Sequence, residues 1–553
     1  MRSLLTTFAA VCLFSAAVQA QPVIGQGGVL NAASYALSDL PGGGIAQGSM
    51  FVVFGQRLGP AAIQQVSAFP LPTALGGTSV KVTVNGTTVD APMVYTLATQ
   101  ISAIMPSNTP VGTGTLTVTY NGQTSAPAPV RVVRSSFGAF SLNQAGSGPA
   151  VVQNFNSVAD QPINALNRPA RPGQTLILWG TGLGPVSFDD RQAPTVGDVP
   201  GNVEVYVGGK LATVAYKGRT SCCAGTDQIN FVVPEGVEGC HVPIVVNTGD
   251  IVINFTSIAV SRTNTCSDPN GLSSTDIERA QTAGNLRQGS VVLVRSNSKF
   301  SIPGAGSFDQ KSDTGSASFF SFNLNQLLTS QGSIGEFASM SVGSCSLFTF
   351  KGDDRGDIDP VEPQVLDAGP AINVSGPRGN KQLTKGAGGF YSATLGGGSL
   401  PIPGAPAGQP DFLEPGSYRI DNGSGGTQVG AFTANLTLGQ LLNWDNMNAV
   451  ENVSRSQGQT IEWSGGDPAG YTSITGMSTS ANASAMFYCM ERTSARRFTI
   501  PSYVLLNLPA TTGENFGFLS VSGMSAGVPF TASGLDSGQV YAVSGNMKTV
   551  NYR

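Results

Sequence analysis

An all-β fold with several domains is predicted for this chain, and three observations predict it. The 553 residues exceed what one hydrophobic core supports. With 71 glycines, 34 prolines and only 11% charged residues, the composition favours turns over helices. Short runs of Val, Ile, Leu and Phe recur, each closed by Gly, Pro or Asn-Gly. Together they predict tandem β-sandwiches followed by a mainly β C-terminal region with a few short helices.

Residues 1–20, "MRSLLTTFAAVCLFSAAVQA", read as a signal peptide cleaved before Gln21. One Arg precedes an apolar run, and small residues stand at the end. Cys12 raises the alternative of a lipoprotein, but Val11 precedes it where lipoprotein signals need a small residue. The expected location is therefore secreted, extracellular or cell-surface. No later stretch reaches ~18 uninterrupted apolar residues, so no transmembrane segment is expected.

Charge excludes one class of partner. The formal net charge is −4, close to neutral for this length. No run rich in Lys and Arg occurs in the sequence. Because the phosphate backbone is bound through such cations, we expect no nucleic-acid partner.

Two stretches repeat one pattern: "QGSMFVVFGQRLGP" at 47–60 and "PGQTLILWGTGLGP" at 172–185. The two-residue period of a strand puts Thr175, Ile177 and Trp179 on one face, and the intervening leucines on the other. The glycines that follow provide a sharp bend, and the final proline ends strand pairing. Since strand and turn residues follow the glycines, the motif does not read as a phosphate-binding loop, which must open a helix.

The repetition continues beyond these stretches. "SVKVTVNG" at 79–86 matches "NVEVYVGG" at 202–209, and "QISAIMPSNTPVG" matches "QINFVVPEGVEG". Several such strands within about a hundred residues indicate a β-sandwich. We therefore predict one sandwich over 21–134 and a second over 135–265.

The pattern Pro-Gly-x-x-(apolar strand)-Gly-x-x-Leu-Gly resembles the IPT/TIG branch of immunoglobulin-like domains. With "GGVLNAASYA" at 27–36 and "DQINFVVP" at 227–234, the pair is also similar to a tandem module of secreted soil-bacterial proteins of acidobacterial type. The resemblance covers roughly residues 22–262. It implies an immunoglobulin-like fold and secretion, and it carries over no catalytic residues.

The six cysteines that follow the signal peptide are expected to form disulfides, because their number is even and the compartment is oxidising. A zinc site is disfavoured, since His241 is the single histidine and no C-x2-C pair occurs. Either Cys222 or Cys223 could bond to Cys240 and the other to Cys266, or these two adjacent cysteines could bond to each other. Cys345 and Cys489 are left as a further pair. The cysteines are Cys222, Cys223, Cys240, Cys266, Cys345 and Cys489.

The chain beyond Cys266 is divided into three segments. Residues 266–368 are predicted as mixed but mainly β, 369–446 as β-rich, and 447–553 as a C-terminal sandwich. Thr275-x-x-Glu278 is a capping-box pattern and predicts a short helix within 273–288. Further single helical turns are expected within 320–332 and 436–444.

An acidic cluster is the candidate metal site. "KGDDRGDIDP" at 351–360 brings four carboxylates close together, which repel one another unless solvent or a cation neutralises them. Oxygen ligands at near-alternate positions suit Ca²⁺, although the spacing is not that of an EF-hand. A solvated acidic turn is the alternative, and no other cofactor is expected. The candidate ligands are Asp353, Asp354, Asp357 and Asp359.

Two further candidates for chemistry are disfavoured. "GMSAG" at 523–527 matches a nucleophile elbow, but a strand-like segment follows Ser525 and no histidine follows it in the chain. His241 is expected to be a strand residue at a sheet edge. Among the three tryptophans, Trp179 and Trp463 are predicted to lie in cores; Trp444, in the polar "NWDN", is the one that could lie on a surface, although burial is favoured for it as well.

The sequence therefore favours a secreted or cell-surface, non-enzymatic protein. Adhesion, extracellular structure or binding of a ligand is expected, with an extracellular polymer, glycan or protein as partner, and loops and sheet edges as contact surfaces. The alternative is an exported hydrolase whose site lies in 267–553 and uses carboxylates, with the sandwiches as accessory domains. An enzyme of that kind requires two carboxylates that converge on a cleft.

Overall fold

The all-β prediction is confirmed. The structure is a computed structural model, and it describes residues 21–249, 251–268, 272–302, 306–323, 341–350, 363–398, 408–481, 483–511 and 515–553. Within these ranges, strands and turns dominate, and the two α-helices have 10 and 4 residues. No helix among the described residues is both long and apolar enough to cross a membrane.

Residues 23–133, the first module, form a β-sandwich. One sheet has the order β1-β3-β9-β8-β4, and the other has the order β2-β12-β10-β6-β5 with β7 and β11 alongside. A single core fills the space between them, with Phe51 and Val82 fully buried. The strands are β1 Val23–Asn31, β2 Ile45–Ala46, β3 Met50–Gln56, β4 Gln64–Gln65, β5 Ala74–Leu75, β6 Thr78–Val84, β7 Thr87–Asp90, β8 Met93–Thr96, β9 Gln100–Ile104, β10 Gly112–Tyr120, β11 Gln123–Thr124 and β12 Ala128–Val133.

Residues 138–260, the second module, repeat the arrangement with one continuous sheet. Its order is β13-β16-β20-β19-β18-β21-β22-β14, and β15 and β17 pair at the side. It encloses its own core, which contains Leu176, Leu178 and Phe231. The strands are β13 Gly138–Ala139, β14 Gly148–Pro149, β15 Val152–Asn154, β16 Thr175–Thr181, β17 Gly197–Asp198, β18 Glu204–Val207, β19 Lys210–Arg219, β20 Asp227–Val232, β21 Gly239–Asn247 and β22 Phe255–Val260.

One proline explains why the modules differ in sheet connection. Both contain a two-residue hairpin with positive φ at both turn positions, Asn85-Gly86 in the first and Gly208-Gly209 in the second. In the first module, Pro92 lies between β7 and β8, so the strand breaks and the two sheets separate. In the second, β19 runs on without a proline and pairs with both β18 and β20.

A buried ion pair lies where the two modules meet. Arg219, at the end of β19, pairs with Asp227, and both side chains are almost completely buried. The guanidinium also donates to the backbone oxygen of Gly48 in the first module, at 2.8 Å. Thr181 accepts from the backbone N–H of Met50 at 2.8 Å. These bonds cross between the modules, so they fix the orientation of one module on the other.

Asp190 forms a second bridge across the same joint. Its carboxylate accepts from the Ser107 backbone N–H at 2.6 Å and from the Ser107 hydroxyl at 2.8 Å. Burial raises the pKa of Asp190, although the Ser107 hydrogen bonds and the charge of Arg219 act in the opposite direction. Arg191 adds a bond from its Nε to the Leu71 oxygen, at 2.9 Å.

The predicted short helix is present, with a different cap. α1 spans Ser274–Ala283, and Ser273 is its N-cap. The Ser273 hydroxyl accepts from the Asp276 backbone N–H, and the Asp276 carboxylate accepts from the Ser273 N–H, so the capping box is Ser273–Asp276 and not Thr275–Glu278. Ile277 packs on Cys240 of the second module and on Cys266, which follows it.

The described residues from 285 onward are dominated by a single fourteen-stranded sheet. Its main order is β25-β36-β35-β38-β40-β23-β24-β29-β28-β27-β30-β31. The strands are β23 Asn285–Ile302, β24 Gly306–Asn323, β25 Ser344–Phe350, β26 Gln364–Val365, β27 Ala371–Gly376, β28 Gly379–Lys385, β29 Tyr391–Gly397, β30 Gly416–Asp421, β31 Thr433–Leu438, β32 Asn443–Trp444, β33 Asn452–Val453, β34 Gln459–Ser464, β35 Tyr471–Thr479, β36 Ser484–Arg492, β37 Arg497–Ile500, β38 Gly517–Met524, β39 Val528–Phe530, β40 Ser537–Thr549 and β41 Asn551–Tyr552; α2 is Ser502–Leu505.

The divisions predicted near 368 and 447 do not separate independent sheets. β40 pairs in parallel with β23 from Ser537 to Lys548, so strands of the first and last predicted segments are neighbours at the centre of the sheet. One core combines residues of 291–438 with residues of 528–542. No helix occupies 436–444, where a turn links β31 to β32, and of 320–332 the described part belongs to β24.

Candidate functional site

The outer face of the second module carries a cleft with an aromatic wall. Its cavity volume is about 340 Å³, at the lower end of the range for small-ligand pockets. Three of its residues alternate along β16, where Thr175 to Trp179 covers about 13 Å of strand. None of the lining side chains is charged. They are Phe155, Gln161, Thr175, Ile177, Trp179, Gln228 and Asn230.

Trp179 lies on this outer face and not in the core, which corrects the prediction made for it. The neighbouring Leu178 points to the core and is fully buried. The Trp179 indole is half-buried and faces solvent on the opposite side of the strand. Its Nε1 donates to Gln153 Oε1 at 2.9 Å, and Gln153 Nε2 donates to the Gln161 backbone oxygen at 3.1 Å. This chain of bonds holds the ring in one orientation.

Two amide side chains lie opposite the apolar residues. In the β16–β20 ladder, Trp179 faces Gln228 and Ile177 faces Asn230. Gln228 Nε2 donates to Asn230 Oδ1 at 2.8 Å. The side-chain oxygen Oε1 of Gln228 and the side-chain Nδ2–H groups of Asn230 have no partner among the described residues. The cleft therefore offers a hydrogen-bond acceptor beside a donor.

Phe155 completes the cleft at its other end. Its side chain is 37% exposed, and its backbone N–H donates to the Thr175 oxygen at 3.1 Å. The cleft therefore has an aromatic ring at each end, with Ile177 and the two amides between them. Aromatic faces with hydrogen-bonding groups at their edges suit ligands that are themselves part apolar and part polar.

The other two tryptophans are both buried. Trp463 is 1% exposed, as predicted. Trp444 is 2% exposed, so it is buried, as favoured, and the surface alternative does not hold. Trp444 and Trp463 are opposite each other in the β32–β34 pair, and the Trp444 Nε1 donates to Asn446 Oδ1 at 2.8 Å. The neighbouring Asn443 and Asp445 are exposed on the other face of the strand, which is how a polar stretch contains a buried indole.

The candidate calcium ligands Asp353, Asp354, Asp357 and Asp359 lie outside the described residues. Within the described ranges, no group of three or more His, Cys, Asp or Glu residues is placed to hold a metal ion.

Carboxylates that are buried in the described part of 267–553 are each bonded to a protein group. Asp268 accepts from the Cys240 backbone N–H at 2.6 Å, and Asp276 caps α1. Asp313 pairs with Arg295 and accepts from the backbone N–H of Leu413 at 2.8 Å. These three acids hold the fold together, and the hydrolase alternative stays a prediction.

His241 lies near the start of an interior strand, ahead of residues 244–247, which pair with β18. It belongs to β21, which has β18 on one side and β22 on the other. The ladder with β22 is irregular between Gly239 and Val242, and this irregularity includes the histidine. Its Nδ1 lies 2.8 Å from Asp268 Oδ2, and both residues are buried.

All six cysteines form disulfides. Cys345–Cys489 was expected. The adjacent pair forms Cys222–Cys223, the alternative, so neither residue reaches Cys240, which bonds to Cys266 instead. The Cys222–Cys223 loop is exposed, and the loop continues into Gly225, whose oxygen accepts from the Thr181 hydroxyl at the joint between the modules.

Ser525 does not occupy a nucleophile elbow. Strand β38 ends at Met524, and strand β39 begins at Val528, so no helix follows the serine. Its hydroxyl accepts from the Ala542 backbone N–H at 2.9 Å, and the residue is buried.

No protein family matches the chain, and no curated protein matches it either. Solved structures overlap with it only weakly. The S-layer protein SbsC, domains 5–6, is 12% identical, with 44% of this chain and 99% of that chain covered and a TM-score of 0.16. SGBP-B from a complex xyloglucan utilization locus in Bacteroides uniformis is 12% identical, with 68% and 86% covered and a TM-score of 0.16. Domains 4–9 of SbsC give 8% identity, 94% and 83% coverage and a TM-score of 0.17.

Proposed function

We propose that this chain is an exported, non-enzymatic β protein that binds a neutral carbohydrate through the outer cleft of its second module. One observation carries the proposal. The half-exposed indole of Trp179 lies beside Gln228 and Asn230, in a cleft whose lining contains no charged side chain. That combination matches the chemistry of an uncharged sugar.

A sugar ring has apolar C–H faces and hydroxyl groups at its rim. The C–H face packs on an aromatic ring, where apolar burial and weak C–H contacts both contribute. Each hydroxyl both donates and accepts, which fits the free oxygen of Gln228 and the free N–H groups of Asn230. Because Gln153 already holds the indole, little side-chain entropy is lost on binding.

Other classes of ligand fit this cleft less well. An extended peptide that adds a strand needs an open sheet edge, but β16 is paired on both sides at the cleft, with β15 and β20. A nucleic acid needs cations, and none lines the cleft. A neutral, hydroxyl-rich polymer remains the ligand class that both the shape and the chemistry support.

We include export in the proposal because the chain forms three disulfides, which are typical of proteins outside the cytosol. Three disulfides persist only where thiols are oxidised, outside the reducing cytosol. Carbohydrate binding outside the cell would serve adhesion to, or the structure of, an extracellular polymer.

Tryptophan fluorescence tests the proposal directly, since Trp179 alone among the three indoles is open to solvent. We expect acrylamide to quench part of the emission in the free protein. A saturating neutral polysaccharide that binds should protect that part. Xyloglucan, mixed-linkage β-glucan, galactomannan and soluble starch serve as probes. Trp179→Ala should weaken binding in affinity electrophoresis by about tenfold or more, the loss of roughly 1.4 kcal/mol or more.

Leu211→Ala is the matched control, because Leu211 is 61% exposed in the same module and outside the cleft. It should bind like the unmodified protein. Binding that survives Trp179→Ala at full strength, or the absence of binding to any of the four polysaccharides, contradicts the proposal.

A further inference from the structure

The first module carries an aromatic cluster at the position that matches the cleft of the second. Phe54 of β3 is opposite Gln100 of β9, as Trp179 of β16 is opposite Gln228 of β20. In β3 the core-facing residues are Phe51 and Val53, and in β16 they are Leu176 and Leu178. In each strand the aromatic residue comes directly after the second of these and is half-buried on the outer face. The repeat therefore preserves an aromatic–glutamine pair on the outer face, although the aromatic residue changes.

Two tyrosines extend the outer face beyond Phe54. The ring of Tyr35 lies 5.9 Å from the Phe54 ring, tilted by 54°. Tyr95 of β8 is opposite Ser102 of β9, on the same face as Gln100. Burial and the proximity of Tyr35 raise the pKa of Tyr95 to about 12. Burial also raises the pKa of Tyr35, so both phenols are neutral at physiological pH and can donate and accept hydrogen bonds.

A buried hydroxyl points to a polar ligand at this cluster. Ser102 is fully buried, and its Oγ has no hydrogen-bonding partner among the described residues. By the two-residue period it lies on the face of Gln100, between Val52 and Tyr95 in the register. Buried hydroxyl groups in proteins are nearly always satisfied, so an unsatisfied one opposite Tyr95 favours a hydrogen-bonding partner at this face that the described residues do not supply.

We infer that Tyr35, Phe54, Tyr95 and Gln100 form a second carbohydrate-binding site, on the first module. The inference rests on the proposed function, since it assigns the same class of ligand, a neutral sugar, to the equivalent face of the repeat. The four side chains carry no charge at neutral pH. The bonds of Arg219 and Thr181 across the joint hold the two sites in a fixed relation, so one chain presents two sites to one polymer.

Counting bound ligands tests the second site. An oligosaccharide cut from whichever of the four polysaccharides protects Trp179 is titrated into the full protein by calorimetry. We expect two oligosaccharides per chain, and one per chain for either Trp179→Ala or Phe54→Ala. The double variant should bind none. Phe54→Leu keeps the apolar volume but removes the ring face, and it replaces Phe54→Ala if that variant fails to fold.

Val111→Ala, 51% exposed in the first module, is the control and should bind two. A ratio of one per chain in the unmodified protein, unchanged by Phe54→Leu and abolished by Trp179→Ala, overturns the second site and leaves the cleft of the second module intact. Binding that Trp179→Ala leaves unchanged overturns the proposed function as well.

Discussion

Asp367 joins two distant loops of the large sheet through its carboxylate. It accepts from Lys385 Nζ at 2.6 Å, and from the Thr427 backbone N–H and hydroxyl at 3.0 and 2.7 Å. The Gly369 N–H also donates to it, at 3.1 Å. The Lys385 hydrogen bond contributes most to holding the pKa of Asp367 well below its usual range, with the Thr427 bonds next.

Asp367→Asn should lower the free energy of unfolding by about 1 kcal/mol at neutral pH, because the charged acceptor is lost. A carboxylate with a lowered folded-state pKa contributes stability above its unfolded pKa, and that contribution is lost as the pH falls. The difference in thermal stability between the two proteins should therefore shrink as the pH falls below about 4.

The control for that comparison is Asp39→Asn, at an exposed aspartate of the first module whose carboxylate accepts from Ser38 at 3.3 Å. It should change the melting temperature little at either pH. A difference for Asp367→Asn that stays constant from pH 7 to pH 3 would contradict the role assigned to its charge.

Trp179 and Trp444 show what the sequence predicts at the scale of one residue and what it does not. The strand period correctly separated Trp179 from Leu176 and Leu178. Which face is the core, however, depends on residues of other strands, because "TLILW" is apolar on both faces. Trp444 lies in the polar "NWDN" but is opposite Trp463 in the β32–β34 pair. The residues around Trp444 give no signal that predicts this strand pairing.

At the scale of elements, β19 and β20 supply the buried ion pair of the joint between the modules, Arg219 with Asp227. Arg219 donates to Gly48 and Gly184 at 2.8 and 2.9 Å and pairs with Asp227, which accepts from Gly182 and Leu183 of the bend after β16. Burial lowers the pKa of Arg219 to about 10, so the guanidinium remains charged at neutral pH.

Arg219→Met should lower the free energy of unfolding by about 3–5 kcal/mol, since it leaves the buried Asp227 without its cation. The measurement is denaturant unfolding, with limited proteolysis to detect loosening between the modules. Arg262→Met removes an exposed arginine that pairs with Glu235 and Glu238, and should change the free energy of unfolding much less, because solvent screens both pairs. Equal losses for the two variants would refute the structural role given to Arg219.

The repeat itself was predictable at this scale. The turn motifs Asn-Gly and Gly-Gly, and the glycine bends after β3 and β16, fix where strands begin and end, whatever their partners. The helix α1 was also predictable, but its cap shifted to Ser273 because Asp276 fits the N3 position as well as Glu does. The polar side chains of the cleft, Gln228 and Asn230, belong to β20. Their position beside Trp179 depends on the pairing of β16 with β20, which the sequence alone does not predict.

At the scale of the whole molecule, the centre of the large sheet unites residues far apart in sequence. β40 lies between β38 and β23, and it pairs with both along most of its length. The composition of residues 266–553 predicted strands correctly. It could not predict their order, because parallel pairing between distant strands leaves no local signal.

Val540→Pro should destabilise this sheet by about 3 kcal/mol or more, because a proline in a strand paired on both sides removes a ladder bond. Val540 is fully buried and pairs with Val291. Hydrogen exchange should rise in β23 and β38 together, although β23 is distant in sequence from residue 540. Exchange that increases only near residue 540 would argue against a single cooperative sheet.

Gln539→Ala, at the exposed neighbouring position, is the matched control and should change stability by less than about 0.5 kcal/mol. The first module should keep its exchange protection in both variants, because its core draws only on residues 29–132.

The parallel pairing of β23 with β40 also orders the events of folding during synthesis. The two modules can close as soon as their own residues have emerged, since each core is local. β23 can pair with β24 at once, but its other edge has no partner until residues 537–549 arrive to lie beside it. Through that interval the open edge of β23 can pair with a strand of another chain, so the unfinished large sheet is exposed to aggregation.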